Sequence, residues 1–80
     1  MKIEFTERAI RDLKNLPARV QEQVFWKLER IRMNPKKYVK KLTDTDYYRL
    51  RIGEYRAILL IEDKIYVIRI AHRKKVYKMI

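Results

Sequence analysis

The feature that most constrains this chain is Gly53, its only glycine, which lies between two runs of alternating residues. The surrounding stretch, residues 47–77, reads YYRLRIGEYRAILLIEDKIYVIRIAHRKKVY. Gly53-Glu54 has the form of a two-residue hairpin turn in which glycine supplies the positive φ. Before it, Tyr48, Leu50 and Ile52 alternate with Tyr47, Arg49 and Arg51. After it come YRAILLIE and, past Asp63-Lys64, IYVIRIA. Apolar, β-branched residues with a period of two predict three antiparallel strands.

The turns fix a register. With Gly53-Glu54 as the whole loop, Ile52 faces Tyr55, Arg51 faces Arg56 and Arg49 faces Ile58. With Asp63-Lys64 also a two-residue loop, Glu62 faces Ile65, Ile58 faces Arg69 and Arg56 faces Ala71. Side chains alternate between faces. One face, the expected core side, then carries Tyr48, Leu50, Ile52, Tyr55, Ala57, Leu59, Ile61, Tyr66, Ile68 and Ile70. The other carries Arg49, Arg51, Arg56, Ile58, Leu60, Val67 and Arg69, with Arg73 beyond them. Asp-Lys is a weaker turn signal than Asp-Gly, and a three-residue loop would flip the third strand, Arg69 included.

Arg51, Arg56 and Arg73 are thereby expected to converge at one end of the second face. Like charges opposed across a ladder are unfavourable. The bland reading is a solvated basic face. A polyanion is the simpler compensation, because guanidinium grips phosphate with two parallel hydrogen bonds. The net charge of +11 favours an anionic partner, whether RNA, DNA, ribosome, acidic membrane or acidic protein. Glutamates are interspersed among the cations of the helices but not of the strands, which argues for a localised site.

Eighty residues predict one small domain, 1–80, with a marginal core. The chain has no cysteine and one histidine, so disulfides, cysteine-based metal or redox sites and a histidine-built zinc site are excluded. No cofactor or metal is expected. MKIEFTERAI does not read as a signal peptide, and no apolar run approaches the roughly 18 residues of a membrane span. A soluble cytoplasmic protein is expected. Abundant Lys, Arg and Glu are compatible with a thermophilic source.

In chain order, KIEF reads as a first strand with Ile3 and Phe5 on one face. Thr6 is a candidate N-cap with Glu7 in the first helical turn. Ala9, Ile10, Leu13 and Leu16 form the stripe of a helix running to about Leu16. Pro17 opens a second helix, Ala18 to Met33, with Val20, Val24, Leu28 and Ile31 buried. Trp26 is expected to pack against the first helix or a loop. Asn34-Pro35 ends this helix. Pro35 to Asp46 is read as an ordered loop or half-turn whose lysines, Lys40 and Lys41 among them, form a basic lip beside the sheet. The fold class is α+β, in the order β-α-α-β-β-β, with an N-terminal helical hairpin on one face of a small, mostly antiparallel sheet.

The FTERAIRDL opening, two helices at this spacing, the YRLRIGEYRAILLIED block and the AHRKKVY ending together resemble the RelE toxins of bacterial and archaeal type II toxin–antitoxin systems. The resemblance covers essentially the whole chain. It implies a RelE/ParE-like fold and a ribosome-dependent mRNA endonuclease that cuts in the A site and inhibits translation. It also implies a cognate acidic, RelB-like antitoxin, with a heterotetramer as one possible assembly. Carried over by position, the functional residues would be Arg56, Arg73 and Tyr77 as catalytic groups. Arg49 and Arg51 would contact RNA, with Lys40, Lys41 and Arg69 as further basic contacts. The antitoxin is expected to cover the arginine face or to displace the segment from Arg73 onward, which is expected to be mobile in the free chain.

In such a reaction the 2′-hydroxyl attacks the adjacent phosphate. The enzyme orients the backbone, stabilises the crowded phosphate and moves two protons. Arginines meet the first two needs, and Tyr77 could stack on a base or transfer a proton. Some relatives carry lysines where this chain has Arg49 and Arg51, and arginine does not act as a general base. His72 is therefore a candidate acid or base, although a lone histidine facing the core side, opposite Tyr55, is more often structural. Two alternatives remain open: a ParE-like inhibitor of DNA gyrase, and a ribosome or RNA binder with weak catalysis.

Overall fold

A computed structural model describes residues 1–78. The chain runs β1 (Ile3–Phe5), α1 (Glu7–Lys14), α2 (Ala18–Ile31), β2 (Lys40–Lys41), β3 (Tyr48–Ile52), β4 (Tyr55–Ile61) and β5 (Ile65–His72). Single 3₁₀ turns lie at Pro35–Lys37 and Val76–Lys78. The sheet order is β1-β5-β4-β3-β2, with β1 parallel to β5 and the other pairs antiparallel. This is the expected helical hairpin on a mostly antiparallel sheet, with one addition. Lys40 and Lys41 form a short edge strand paired with Arg49 and Tyr48. Two residues carry too little periodicity to be read as a strand in advance.

The helices begin and bury as their sequences dictate. Thr6 caps α1, its hydroxyl accepting the Ala9 N–H at 3.1 Å. Val20, Val24, Leu28 and Ile31 of α2 are buried with Ala9 against Leu50, Ile52, Ala57, Leu59, Ile65, Val67 and Ile70 of the sheet. Trp26 is not packed as expected. It stands on the outer side of α2 with 74% of its surface exposed.

Gly53 takes φ +56°, and Ile52 faces Tyr55, Arg51 faces Arg56 and Arg49 faces Ile58, as the two-residue turn required. The second turn differs. Ile61, not Glu62, faces Ile65, so the loop is Glu62–Lys64, three residues. The shift persists to Leu59 opposite Val67. An extra residue at Ile68 then restores Ile58 opposite Arg69 and Arg56 opposite Ala71. A bulge of this kind exchanges faces locally. Ile65 and Val67 enter the main core, whereas Ile68 joins a second cluster with Ile58 on the opposite side. The expected faces of Tyr66, Val67 and Ile68 are thus corrected, while the register at the arginines survives.

The bulge is stabilised from the first helix. The Thr6 N–H donates to Val67 O at 3.1 Å, and its hydroxyl to Ile68 O at 3.2 Å. Asp12 accepts the Ile70 N–H at 3.0 Å and Arg69 Nε at 2.9 Å. Backbone groups released from the ladder therefore keep partners.

Candidate active site

The site is built on the sheet face turned away from the helices, at the β3–β4 turn. Arg51 and Arg56 oppose each other across the ladder. Arg56 is only 8% exposed, the one charged residue in the buried class among the described residues. Its Nη1 donates to Gly53 O at 2.7 Å and Tyr55 O at 2.8 Å, folding the guanidinium back over the turn. Burial lowers the pKa of Arg56 from its ordinary value. Arg51, Arg49 and Arg73 push it further down, whereas Tyr77 acts in the opposite direction. Four guanidinium groups and a phenol are thus close enough to share one field.

The C-terminal segment closes one side of this cluster. Val76 is fully buried with Ile58 and Ala71, and Leu42, Tyr47 and Ile68 pack around them. This small second core pins the 3₁₀ turn that carries Tyr77. The Tyr77 hydroxyl accepts Arg49 Nη1 at 2.8 Å. The segment expected to be mobile is therefore held at two points.

Glu54, expected from the sequence only as the second residue of the turn, is part of the site. Its Oε2 lies 3.0 Å from Arg73 Nε and 4.0 Å from His72 Nε2. Its carbonyl oxygen accepts the Arg73 N–H at 2.8 Å. His72 lies opposite Tyr55, its ring edge-on at 5.5 Å, and its Nδ1 accepts the Lys74 N–H at 3.2 Å. The signal for Glu54 was its place in the turn, since a residue at a hairpin tip can reach chain that follows the neighbouring strand.

Arg49, Arg51, Arg56, Arg73 and Tyr77 are brought together, with His72 at their border through Glu54. Lys40, opposite Arg49, extends the basic surface at the sheet edge, while Lys41, opposite Tyr48, belongs to the other face. Arg69 keeps its expected partner Ile58, but its guanidinium is engaged by Asp12 of α1, both side chains 13% exposed, and is not presented with the other arginines. It is Asp12, bonded also to the Ile70 N–H, that draws this guanidinium to α1. Among the described residues no helix is long and apolar enough to cross a membrane.

Comparison with known proteins agrees with this architecture. Residues 3–77 match the family model described as the ParE toxin of type II toxin–antitoxin systems, parDE. The chain is 34% identical to RelE1 of Methanocaldococcus jannaschii over 95% of this chain and 93% of that one. It superposes on a chain of the Mycobacterium tuberculosis toxin–antitoxin complex RelBE2 with a TM-score of 0.82, at 28% identity over 90% of each chain. The isolated Escherichia coli RelE toxin gives 0.77, at 26% identity over 98% of this chain and 92% of that one. The chain belongs to the RelE/ParE family of toxins from type II toxin–antitoxin systems.

Proposed function

We propose that this toxin is a ribosome-dependent mRNA endonuclease that cuts in the A site by 2′-hydroxyl attack on the adjacent phosphate. One observation carries the reading: a buried arginine, Arg56, crowded by Arg49, Arg51 and Arg73. Such a cluster is costly in a free protein and is compensated by a phosphate whose charge grows in the transition state. Arg56 and Arg73 are assigned to the reacting phosphate, and Arg49 and Arg51 to the RNA backbone, with Lys40 beside them.

Tyr77 is assigned to proton transfer and to contact with the base. Its oxygen accepts from Arg49, so its own proton remains free to be donated to the leaving 5′-oxygen, while the proton of the attacking 2′-hydroxyl passes to solvent water. His72 fits general-base work less well, because Nδ1 already accepts the Lys74 N–H and Nε2 faces Glu54. By analogy with the relatives crystallised as toxin–antitoxin complexes, an acidic antitoxin is the expected partner. Its carboxylates would compensate the same arginines.

The matched family model bears the ParE name, which favours gyrase inhibition as the second reading. Induction of the Arg56→Ala/Arg73→Ala variant separates the possibilities. Loss of toxicity in a protein with wild-type circular dichroism supports the nuclease. Full toxicity, or DNA-damage signalling without new mRNA ends, contradicts it.

A further inference from the structure

Glu54 and Arg73 are joined twice, by the side-chain contact of 3.0 Å and by the main-chain hydrogen bond of 2.8 Å. Among the described residues, Glu54 is the only carboxylate ion-paired with any of Arg49, Arg51, Arg56 and Arg73. Its presence is unexpected on a surface that serves to attract RNA, since a negative charge there opposes binding. The pair is also half exposed, at 50% for Arg73 and 63% for Glu54, so it adds little to stability. Neither affinity nor folding accounts for it.

A guanidinium has two edges that can take an oxyanion: Nε with one Nη, and the two Nη together. Glu54 lies on the Nε side. We propose that Glu54 is a positioning residue that holds Arg73 through an ion pair on its Nε side, so that its paired Nη groups are presented, already oriented, to the reacting phosphate. The inference rests on the endonuclease reading. An arginine this exposed would otherwise spread over many rotamers, and fixing it beforehand removes that ordering cost from the reaction. The main-chain bond keeps the turn and the segment after β5 in one frame, so the carboxylate reaches Arg73 from a fixed origin. His72 Nε2 lies 4.0 Å from the same oxygen.

The test is Glu54→Gln, which keeps the shape and removes the charge. Cleavage on programmed ribosomes should show kcat lower by about ten- to a hundredfold, with KM unchanged or lower because the surface gains net positive charge. Tm should stay at the wild-type value. In an Arg73→Lys background, which has no paired Nη groups to orient, Glu54→Gln should cause no further loss. A wild-type kcat, or an equal additional loss in the Arg73→Lys background, overturns the proposal.

A second measurement does not depend on cleavage. Side-chain order at Arg73 Nε, read from ¹⁵N relaxation, should be high in the wild-type protein, fall in Glu54→Gln, and persist when a 2′-deoxy-substituted oligoribonucleotide binds. Order indifferent to Glu54→Gln, or lost when the oligonucleotide binds, overturns the proposal. Absence of wild-type cleavage alongside persistent order at Nε would instead refute the nuclease reading and leave the positioning of Arg73 toward a bound phosphate supported.

Discussion

Arg49 Nη1 and the Tyr77 hydroxyl meet at 2.8 Å, joining β3 to a residue 28 positions further along the chain. The bond leaves the phenolic proton unused and aims the ring at the arginine cluster. Tyr77→Phe should therefore lose about 10²- to 10⁴-fold in cleavage rate, the range for a positioned proton donor, while binding to the ribosome is retained. If the ring served only for stacking, Tyr77→Phe would cut at the wild-type rate and only Tyr77→Ala would fail. Single-turnover cleavage by the two variants distinguishes these roles.

Tyr77 is held in place largely by its neighbour. Val76 is fully buried against Ile58 and Ala71, directly after the basic run Arg73-Lys74-Lys75. Val76→Ala should cost roughly 1–2 kcal/mol, mostly as local opening. Amide exchange should accelerate over residues 73–78 while β3 to β5 stay protected, and cleavage should fall in parallel. Unchanged exchange in that segment would show that the second core does not hold it.

The outcome at the two turns shows how far the sequence was legible. Gly53 specifies a backbone conformation, so one residue fixed the register of β3 against β4 and hence the pairing of Arg51 with Arg56. Glu62-Asp63-Lys64 contains no such residue, and the loop length could not be read. The bulge at Ile68 was equally invisible, because it depends on Thr6 and Asp12 arriving from α1 to bond the displaced backbone. Those two misreadings cancelled at Arg56 and Arg69, which keep their expected partners, but not at Val67. Trp26 misled for another reason: a large apolar residue carries no mark of whether the fold or a partner will cover it. Val76 lies between Lys75 and Tyr77 in a segment without strand or helix periodicity, and nothing local announces that it is buried.

A cation whose pKa is depressed by the fold makes that fold less stable wherever the cation is charged, and the penalty lifts only as pH rises through the lowered value. Arginine stays protonated in proteins, so the penalty imposed on Arg56 is constant across neutral pH. Salt is the variable that should reveal it. Raising ionic strength shortens the Debye length, about 10 Å at 0.1 M, and screens the four guanidinium groups. The wild-type Tm should rise with salt, and rise further with phosphate than with chloride. Arg56→Met should start from a higher Tm at low salt, show a smaller increment and fail to cut RNA. A wild-type Tm that falls with added salt would contradict this account of the cluster.

Asp12 and Arg69 present the opposite case, an ion pair that serves the fold. Asp12 accepts from Arg69 Nε and the Ile70 N–H, and both side chains are largely covered. Asp12→Ala leaves a guanidinium and an amide without that partner and should cost about 3 kcal/mol. Replacing both residues with apolar ones, Asp12→Leu with Arg69→Met, should recover most of that loss. Urea unfolding of the single and double variants measures the difference. Ribosome binding should be unchanged in the double variant, since Arg69 does not contribute to the open face.

The central claim is tested most directly by adding the purified chain to translating ribosomes and mapping mRNA 5′ ends by primer extension, beside a ribosome-free control. The account expects new ends at the A-site codon, only with ribosomes present, and none with Arg56→Ala/Arg73→Ala. A folded, ribosome-bound wild-type protein that generates no new ends would contradict it.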